Sequence, residues 1–534
     1  MLFLGGDFSR WSVRRLRWSG FKTFVEKHTR TALLWLGCVL IAILPLGCIK
    51  VNPTPDYAHA SALIAERTGS GDVYDPQTES LIKDKISVLL ADRLTTAEAV
   101  QLALLNNRPF QSAFHEIGVS RAEVVRSGLL SNPSLFTSAR FPDGGGRSNL
   151  TFGFGQELAD LWQIPIRKRI AKAKLEQTVL SVVRRAIDLA ADVRIRCYQF
   201  LALLEAEKIA QENLTLVERS VKLAEDRFHA GEVGQLDVNL AKTNLLDVKL
   251  KLIALKRQRR IARADLAWVL GLARWDLPWT LIDDLPMEPL PAINPDEWVL
   301  YAMRQRLDAQ AAALQTRAAE AEIKRQYLSI IPSVTLGVEG ERQERRSLPG
   351  RKVLADTARA SVASGGLTAP GIQSRGQRNL ERSQIIDSLI GPTISLTLPI
   401  WHQNQAEIAK ARFTAAQKRK DYEALLDIVA NSVEASIVAA RTADELVHFY
   451  KEEALPLARA NVEAARRAYG AGEQSIVALI DAQRTLITQL RDYVDARRDY
   501  AIARAELQRA VGGQMPTTPS TTQPAEAEAG EQSS

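Results

Sequence analysis

Two short stretches of the chain decide its fold: residues 227–236 read RFHAGEVGQL, and residues 468–477 read AYGAGEQSIV. Each contains an aromatic residue, then Ala-Gly-Glu, and then a small residue three positions after that glycine. Glycine commonly ends one helix, and an acidic residue is favourable where the next helix begins. Both stretches therefore predict a tight turn between two helices, and their recurrence predicts an internal duplication.

The helices before these turns are predicted to be very long. Residues 167–228 and 405–469 are rich in Ala, Leu, Arg, Glu, Lys and Gln, which are strong helix formers, and Pro456 is the one candidate kink. A run of about 60 residues spans roughly 90 Å at a rise of about 1.5 Å per residue. Rods of that length are typical of coiled coils, stalks and ducts.

Shorter helices open each half of the chain. One is predicted from residue 94 to about residue 130, with Thr95 or Thr96 as its cap and a break at Pro109. The other runs from Asn294, as its cap, to about residue 328. The same order of elements therefore occurs twice.

Four segments, at about residues 135–141, 150–155, 334–339 and 393–400, show the alternation of a strand with one apolar and one polar face. In the clearest of them, Ile394 and Leu396 alternate with Thr393 and Ser395. A strand that faces lipid on one side and a wet lumen on the other requires this pattern. A half-buried strand in a soluble sandwich uses the same pattern, so the strands alone do not decide between the two.

The number of strands constrains how many chains are needed. A four-stranded sheet in lipid would leave two unpaired edges, at a cost of several kcal/mol for each unsatisfied backbone group. Two chains would supply about eight strands, whose interior is filled by side chains, whereas about twelve strands from three chains can enclose an open lumen. A transport role therefore favours three chains.

The two strand pairs have different connections. A Gly-rich turn at residues 143–147 joins the first pair, and a basic segment at residues 341–387 joins the second. Long loops of a membrane barrel lie on its outer side, so we expect this basic segment to be extracellular. A loop of that length is either functional or disordered.

The N-terminus has the order of a secretory signal: a basic stretch at residues 10–30 and then an apolar run at 31–49. A retained membrane-spanning helix is the alternative. Residues 44–48 read LPLGC and resemble a bacterial lipoprotein cleavage box, although Pro45 departs from the usual aliphatic residue. The resemblance implies a lipoprotein signal peptide over residues 1–47 and acylation of Cys48. A linker is predicted over 48–93, and a low-complexity, disordered tail over 513–534.

Charge and motif searches favour neither nucleic acid binding nor catalysis. The net charge is only +7 over 534 residues, and no basic stripe carries interleaved aromatic residues. The three cysteines form no disulfide framework, and the six histidines have no metal-ligand spacing. Residues 115–119 begin like a zinc-protease helix, but Val119 stands where the second histidine is needed. We therefore expect no cofactor, no metal site and no enzymatic activity.

Further motifs resemble a known family. They are LTTAEAV at residues 94–100, Asn106-Asn107, SNP at 131–133, IPS at 331–333, and LPIW at 398–401 followed by AEI at 406–408. Together they resemble TolC-like outer-membrane efflux proteins over residues 94–512, most closely the heavy-metal and cation efflux branch. No single motif is diagnostic, but their order and duplication are.

This resemblance implies a mainly α fold with a small β part. Long coiled-coil hairpins would form an α-helical barrel, and four membrane strands per chain would close as a trimeric, twelve-stranded barrel. Residues 94–285 and 286–512 would be the two repeats. The chain would be a homotrimeric outer-membrane exit duct, lipid-anchored and membrane-spanning, with a periplasmic adaptor and an inner-membrane pump of RND type as partners. The alternatives are a periplasmic coiled-coil scaffold anchored in the inner membrane, or a duct for type I protein secretion.

The resemblance also implies site residues. The hairpin tips that dock on the adaptor would be formed by Gly231, Glu232, Gly234, Gly472, Glu473 and Ser475. At the periplasmic gate, Asp481 would form an acidic ring, Tyr469 would belong to a network that holds the constriction shut, and Asp237 would be an acidic position near the first tip. Ala478 and Gln474 depart from the family's best-known member, which has an acidic residue and an arginine there. A plain solvent-facing carboxylate is the alternative role for Asp481.

Overall fold

The computed structural model describes residues 50–91, 93–141, 148–272, 279–291, 294–344, 362–363, 365 and 386–515. The predicted signal peptide, Cys48, the turn at 143–147, most of the basic segment and residues 516–534 of the tail lie outside these residues. Every element named below belongs to one compact unit that begins at Pro53.

The N-terminal segment is helical and packed, so the prediction of a linker over residues 48–93 is wrong for this part. It contains α1 (Thr54–Thr68) and α2 (Glu79–Ala91). Tyr57 and Ile64 of α1 are buried in the main hydrophobic core because they lie on one face of the helix.

The first half then contains six elements. They are α3 (Thr96–Asn106), α4 (Arg108–Ser127), β1 (Ser134–Arg140), β2 (Asn149–Glu157), α5 (Asp160–His229) and α6 (Gln235–Val269). Thr95 caps α3 in a complete capping box with Glu98, as predicted. The break before α4 falls at Asn107, two residues before Pro109, because a proline fits the first turn of the next helix.

The second half repeats this order. It contains α7 (Pro295–Gln305), α8 (Leu307–Leu328), β3 (Val334–Glu344), β4 (Ile386–Leu396), α9 (Gln405–Phe449), α10 (Leu455–Gly470) and α11 (Ile476–Val511). Asn294 lies at the N-cap of α7, but its side chain makes no cap bond and donates to Glu297 instead. The predicted duplication is confirmed as a duplication of structure.

The four strands form one antiparallel sheet in the order β1-β2-β3-β4. β4 begins and ends earlier than the alternation predicted, so Leu398 and Ile400 lie beyond it. The basic connection is correspondingly shorter than 341–387, because β3 extends to Glu344 and β4 begins at Ile386. Within the described part of the chain, the outer edges of β1 and β4 have no strand partner.

One face of this sheet is apolar and exposed. The register places on it the large hydrophobic side chains Leu135, Leu150, Phe152, Phe154, Leu336, Val338, Ile390, Ile394 and Leu396. Their exposure ranges from 39% for Phe154 to 81% for Leu135. The other face is mostly Ser, Thr, Gly and Glu, so the sheet has the two-faced character that the alternation predicted. A contiguous exposed apolar face of this kind marks a surface that contacts lipid or a partner.

The long helices differ in one detail from the predicted rods. α5 has 70 residues, but the second rod is interrupted by a π-helical turn at Tyr450–Ala454, just before Pro456. Proline lacks the N–H that would bond the carbonyl four residues earlier, and the wider turn accommodates it. None of the described helices is both long enough and apolar enough to cross a membrane.

Candidate gate and hairpin tips

The two tip turns have the same backbone. Gly231 and Gly472 adopt left-handed conformations, with φ of 78° and 80°. The Glu232 N–H donates to the Arg227 carbonyl at 2.9 Å, and the Glu473 N–H donates to the Ala468 carbonyl at 2.9 Å. This bond closes a Schellman motif, in which glycine is favoured because its φ is positive.

The helices after the turns begin at equivalent residues. Gly234 and Ser475 are the N-caps of α6 and α11, and both have extended backbones without a side-chain cap bond. All six predicted tip residues are exposed in the described chain. The tips can therefore be reached by a partner.

Tyr469, in contrast, is buried, with only 1% of its surface exposed. It packs against Ile476, Leu479 and Ile480 of α11 and against Leu240 of α6. Its hydroxyl has no hydrogen-bond partner among the described residues. Burial raises the pKa of Tyr469, Asp237 adds to the rise, and Arg227 opposes it. Tyr469 and Asp237, two of the three predicted gate residues, thus lie within electrostatic range of each other.

Arg227 lies at the centre of this region, although the sequence analysis assigned it no role. Its Nη1 donates to the Tyr469 carbonyl at 2.8 Å, and its Cζ lies 4.8 Å from the centre of the Tyr469 ring. Its Nε donates to Oε2 of Glu232 at 2.9 Å. The one signal in the sequence is that position 227 is arginine, whereas the equivalent residue of the second copy is Ala468.

Asp481 lies in α11, beyond the tip. Leu479 and Ile480 beside it are buried, whereas Asp481 is exposed and forms no ion pair within the described ranges. Its backbone carbonyl accepts a bond from the Thr485 hydroxyl at 2.9 Å. The carboxylate therefore faces away from the core shared by the two hairpins.

Further from the tips, the contact between the two hairpins is polar. A cavity of about 210 Å³ lies between α5, α6 and α11, and buried Asn213 and Asn244 line it. Arg484 Nε donates to Asn244 Oδ1 at 3.1 Å, and Gln483 donates to Ser220 at 3.4 Å. No cluster of three metal-ligating side chains occurs among the described residues.

Comparison with known proteins identifies the family. Residues 99–272 and 300–513 match the family described as outer membrane efflux protein, and these ranges follow the two repeats. The chain belongs to the outer membrane efflux protein family. The match supports the predicted exit duct at the level of the family, which is one of passive outer-membrane channels. Members of the family form trimers and act with a periplasmic adaptor and an inner-membrane pump.

Individual relatives are distant. The chain is 24% identical over 320 residues to the pyoverdine export outer membrane protein OpmQ of Pseudomonas putida, covering 59% of this chain and 60% of that protein. It is 23% identical over 410 residues to the cobalt-zinc-cadmium resistance protein CzcC of Cupriavidus metallidurans, covering 74% and 84%. The first match thus spans less than two thirds of the relative's length.

Solved structures show the same fold. The chain resembles CusC with a TM-score of 0.62 at 17% identity, covering 79% of this chain and 92% of that one. It resembles the outer-membrane channel OprN with a TM-score of 0.61 at 20% identity, covering 80% and 92%. The prediction of a mainly α outer-membrane efflux fold with four strands per chain is therefore confirmed.

Proposed function

We propose that three copies of this chain form the outer-membrane exit duct of a tripartite efflux system. The observation that carries the proposal is the four-stranded sheet, which has an exposed apolar face and, in the described part of the chain, no strand partner at either outer edge. Pairing β1 of each copy with β4 of the next would satisfy both edges and close twelve strands. The exposed apolar side chains would then face lipid, and the Ser, Thr and Glu side chains would face the lumen.

The long hairpins would form the periplasmic part of the duct. With 70 residues, α5 spans about 105 Å at about 1.5 Å per residue. The exposed turns at Gly231–Glu232 and Gly472–Glu473 would lie at its far end, where a periplasmic adaptor docks. Gly234 and Ser475 would belong to the same docking surface.

Asp481 would line the constriction near the tips. Its carboxylate is exposed and points away from the shared core, so three copies around an axis could form an acidic ring. Such a ring favours cations over anions. Tyr469 and Asp237 would hold the second hairpin in its narrowed position.

The comparison with relatives does not point to one cargo for this chain. The names of the two relatives refer to pyoverdine and to cobalt, zinc and cadmium, which are chemically unlike. We propose that an inner-membrane pump, of the RND type, selects the cargo and that this chain provides only the passage.

We propose that Cys48 anchors each copy through an acyl chain. The support is the LPLGC stretch at residues 44–48. Metabolic labelling with a radioactive fatty acid should mark the wild type but not Cys48→Ala. Equal labelling of both proteins would remove the anchor from the proposal.

Single-channel recording in planar bilayers tests the duct. The purified protein should be a trimer that conducts ions with a preference for cations. Asp481→Asn should weaken that preference, whereas Glu434→Gln, at an exposed carboxylate of α9, should leave it unchanged. A water-soluble monomer without conductance would contradict the duct, and an unchanged ion preference in Asp481→Asn would remove only Asp481 from the gate.

A further inference from the structure

We infer that the start of α5 carries a surface that binds anionic phospholipid headgroups on the periplasmic side of the outer membrane. We call this surface the basic patch, and it consists of Lys168, Arg169 and Lys172. The inference rests on the proposed function, because it requires that the sheet lies in that membrane and that α5 leads away from it. The basic patch would fix the depth at which each copy sits in the bilayer.

The start of α5 is rich in positive charge. Residues 160–174 contain five Lys or Arg residues and one acidic residue, Asp160. Arg167 pairs with Asp160 at 2.7 Å. The three residues of the basic patch are exposed and form no ion pair among the described residues. Like charges so close together repel one another, so an anion bound among them is stabilising.

The equivalent helix of the second half has compensated charges. Residues 405–420 of α9 also contain five Lys or Arg residues and one acidic residue, Glu407. One of these cations, Arg412, lies over the Tyr327 ring at 5.7 Å. The other four form the ion pairs Lys410–Glu407, Lys418–Asp421, Arg419–Glu320 and Lys420–Glu423, at 2.6 to 3.6 Å. A solvated helix face is usually compensated in this way, so the basic patch of α5 points to a partner from outside the chain.

The basic patch lies on the face of α5 that α1 covers further along the helix. Lys172, Val179 and Ala186 are spaced by seven residues, about two helical turns, and therefore share one face. Val179 and Ala186 are buried in the main core together with Tyr57 of α1, whereas Lys172 is exposed. In the proposed duct the long helices form the wall, and a layer added inside it would fill the lumen. α1 is such an added layer, so α1 and the basic patch face outward.

On its membrane side, the basic patch is continuous with an exposed apolar side chain. Leu161 lies seven residues before Lys168, on the same face, and is 61% exposed. Lys168 and Arg169 lie about 10–12 Å further along α5 than Leu161. The headgroup layer of a bilayer is roughly 5–8 Å thick. Side chains of a helix tilt toward its N-terminus, here toward the sheet, and long cationic side chains extend further, so the basic patch reaches the depth of the phosphates.

An anionic phospholipid fits this surface better than a soluble anion. The three cations are exposed, so a free phosphate among them would stay in contact with water and be held weakly. A phospholipid adds acyl chains, which would lie against Leu161 and the exposed apolar face of the sheet. Each Lys or Arg near an anionic bilayer surface contributes about fivefold in affinity.

The test measures lipid binding to the full-length purified trimer in detergent. Native mass spectrometry would count bound phosphatidylglycerol and, separately, bound phosphatidylethanolamine with the same acyl chains. Wild type should prefer phosphatidylglycerol. The triple variant Lys168→Gln, Arg169→Gln, Lys172→Gln should bind it about tenfold or more weakly and should bind phosphatidylethanolamine as wild type does.

A matched control exists on the same helix. Lys208, Arg219 and Lys222 are exposed and form no ion pair in the described part of the chain. Lys208 lies about 54 Å further along α5 than Lys172. The triple variant Lys208→Gln, Arg219→Gln, Lys222→Gln removes the same charge and should bind phosphatidylglycerol as wild type does. Should the first triple variant not assemble, Arg169→Gln decides the matter, with an expected loss of about fivefold.

The outcomes separate the basic patch from the duct. Equal binding of phosphatidylglycerol by wild type and by the variants of the basic patch would overturn the patch, although a conducting wild-type trimer would leave the duct intact. An equal loss in the control would also overturn it, because net charge and not position would then decide. Displacement of the lipid by inorganic phosphate would mean an anion site instead of a membrane surface. A water-soluble monomer without conductance would instead contradict the proposed function itself.

Discussion

The junction between α3 and α4 and the junction between α7 and α8 occupy equivalent places in the two halves of the molecule. The first breaks at Asn107, with φ of −68° and ψ of 115°, and the second at Arg306, with φ of −67° and ψ of 126°. Four residues after each break, a glutamine side chain bonds back across the junction. Gln111 Nε2 donates to the Leu105 carbonyl at 2.8 Å, and Gln310 Nε2 donates to the Arg304 carbonyl at 2.8 Å. The backbone of the two junctions is thus the same.

Each junction is also tied to the end of the last helix in its half. Asn107 Nδ2 donates to the Val269 carbonyl at 2.9 Å, and Arg306 Nη1 donates to the Ala510 carbonyl at 3.3 Å. The spacing from Val269 to Ala510 is the spacing from Gly231 to Gly472, so the tie was duplicated together with the hairpins. In each half, this bond holds the end of the long hairpin against the two short helices at which that half begins.

The chemistry of the two ties differs. The first uses neutral amides, whereas the second uses a buried arginine that also binds both oxygens of Asp308, at 3.1 and 2.6 Å, and the Ser432 hydroxyl at 3.0 Å. Burial alone would raise the pKa of Asp308, but the hydrogen bonds and charge of Arg306 outweigh it and the pKa is lowered. The strength of the amide bond depends only on its geometry. The charged tie also requires that both Arg306 and Asp308 are ionised, so its strength depends on pH.

The largest expected difference between the two junctions is the loss of stability when the tie of each is removed. Arg306→Ala leaves Asp308 partly buried without its partner, which costs about 3–5 kcal/mol. Asn107→Ala removes neutral bonds only, at about 1–3 kcal/mol. Chemical denaturation of the purified trimer should therefore show a much lower midpoint for Arg306→Ala. Arg304→Ala, at an exposed neighbour, is the control, and equal midpoints for Arg304→Ala and Arg306→Ala would contradict the comparison.

Local sequence features predicted much of what the two halves share. The tip glycines, the capping box at Thr95 and the long helix-forming runs depend on neighbouring residues, and such signals are readable from sequence. The resemblance to a family also indicated Asn106 and Asn107, although not what they bind. The alternation of the strands correctly predicted two faces, but the ends of β4 were missed because Leu398 and Ile400 continue the same alternation beyond the sheet.

The contacts that distinguish the halves could not be predicted in this way. Arg227 reaches Tyr469, and Arg306 reaches Ala510, across more than 200 residues. A buried arginine is also contrary to the usual preference of that residue for the surface. The helices at 54–91 were missed for the same reason, because they are fixed by packing on the core and not by a strong local signal.

The second difference concerns the glycines that follow the last helix of each half. Gly271 and Gly512 both have positive φ, at 74° and 99°, so alanine at either costs about 1–2 kcal/mol. At Gly271 a Cβ would lie 2.4 Å from the Asn106 carbonyl oxygen, whereas at Gly512 the nearest atoms are 3.5 Å away. Gly271→Ala should therefore lose a further ~1–3 kcal/mol from overpacking. Thermal unfolding of Gly271→Ala and Gly512→Ala measures this difference in stability. Similar losses of stability in the two variants would show that the first junction can shift to make room for the added Cβ.

The smallest expected difference is the response to acid. Because the folded-state pKa of Asp308 is lowered, its contribution to stability is complete above the unfolded pKa of about 3.9 and is lost as the pH falls through the folded value. The loss should be smaller than that in Arg306→Ala, since a protonated Asp308 can still accept a bond and Arg306 keeps Ser432 and Ala510. Hydrogen exchange between pH 5 and pH 3, corrected for intrinsic rates, should show α7 and α8 loosening before α3 and α4. Asp308→Asn should remove that difference in pH dependence, and acid loosening of both junctions together would mean that the charged tie is not the acid-sensitive element.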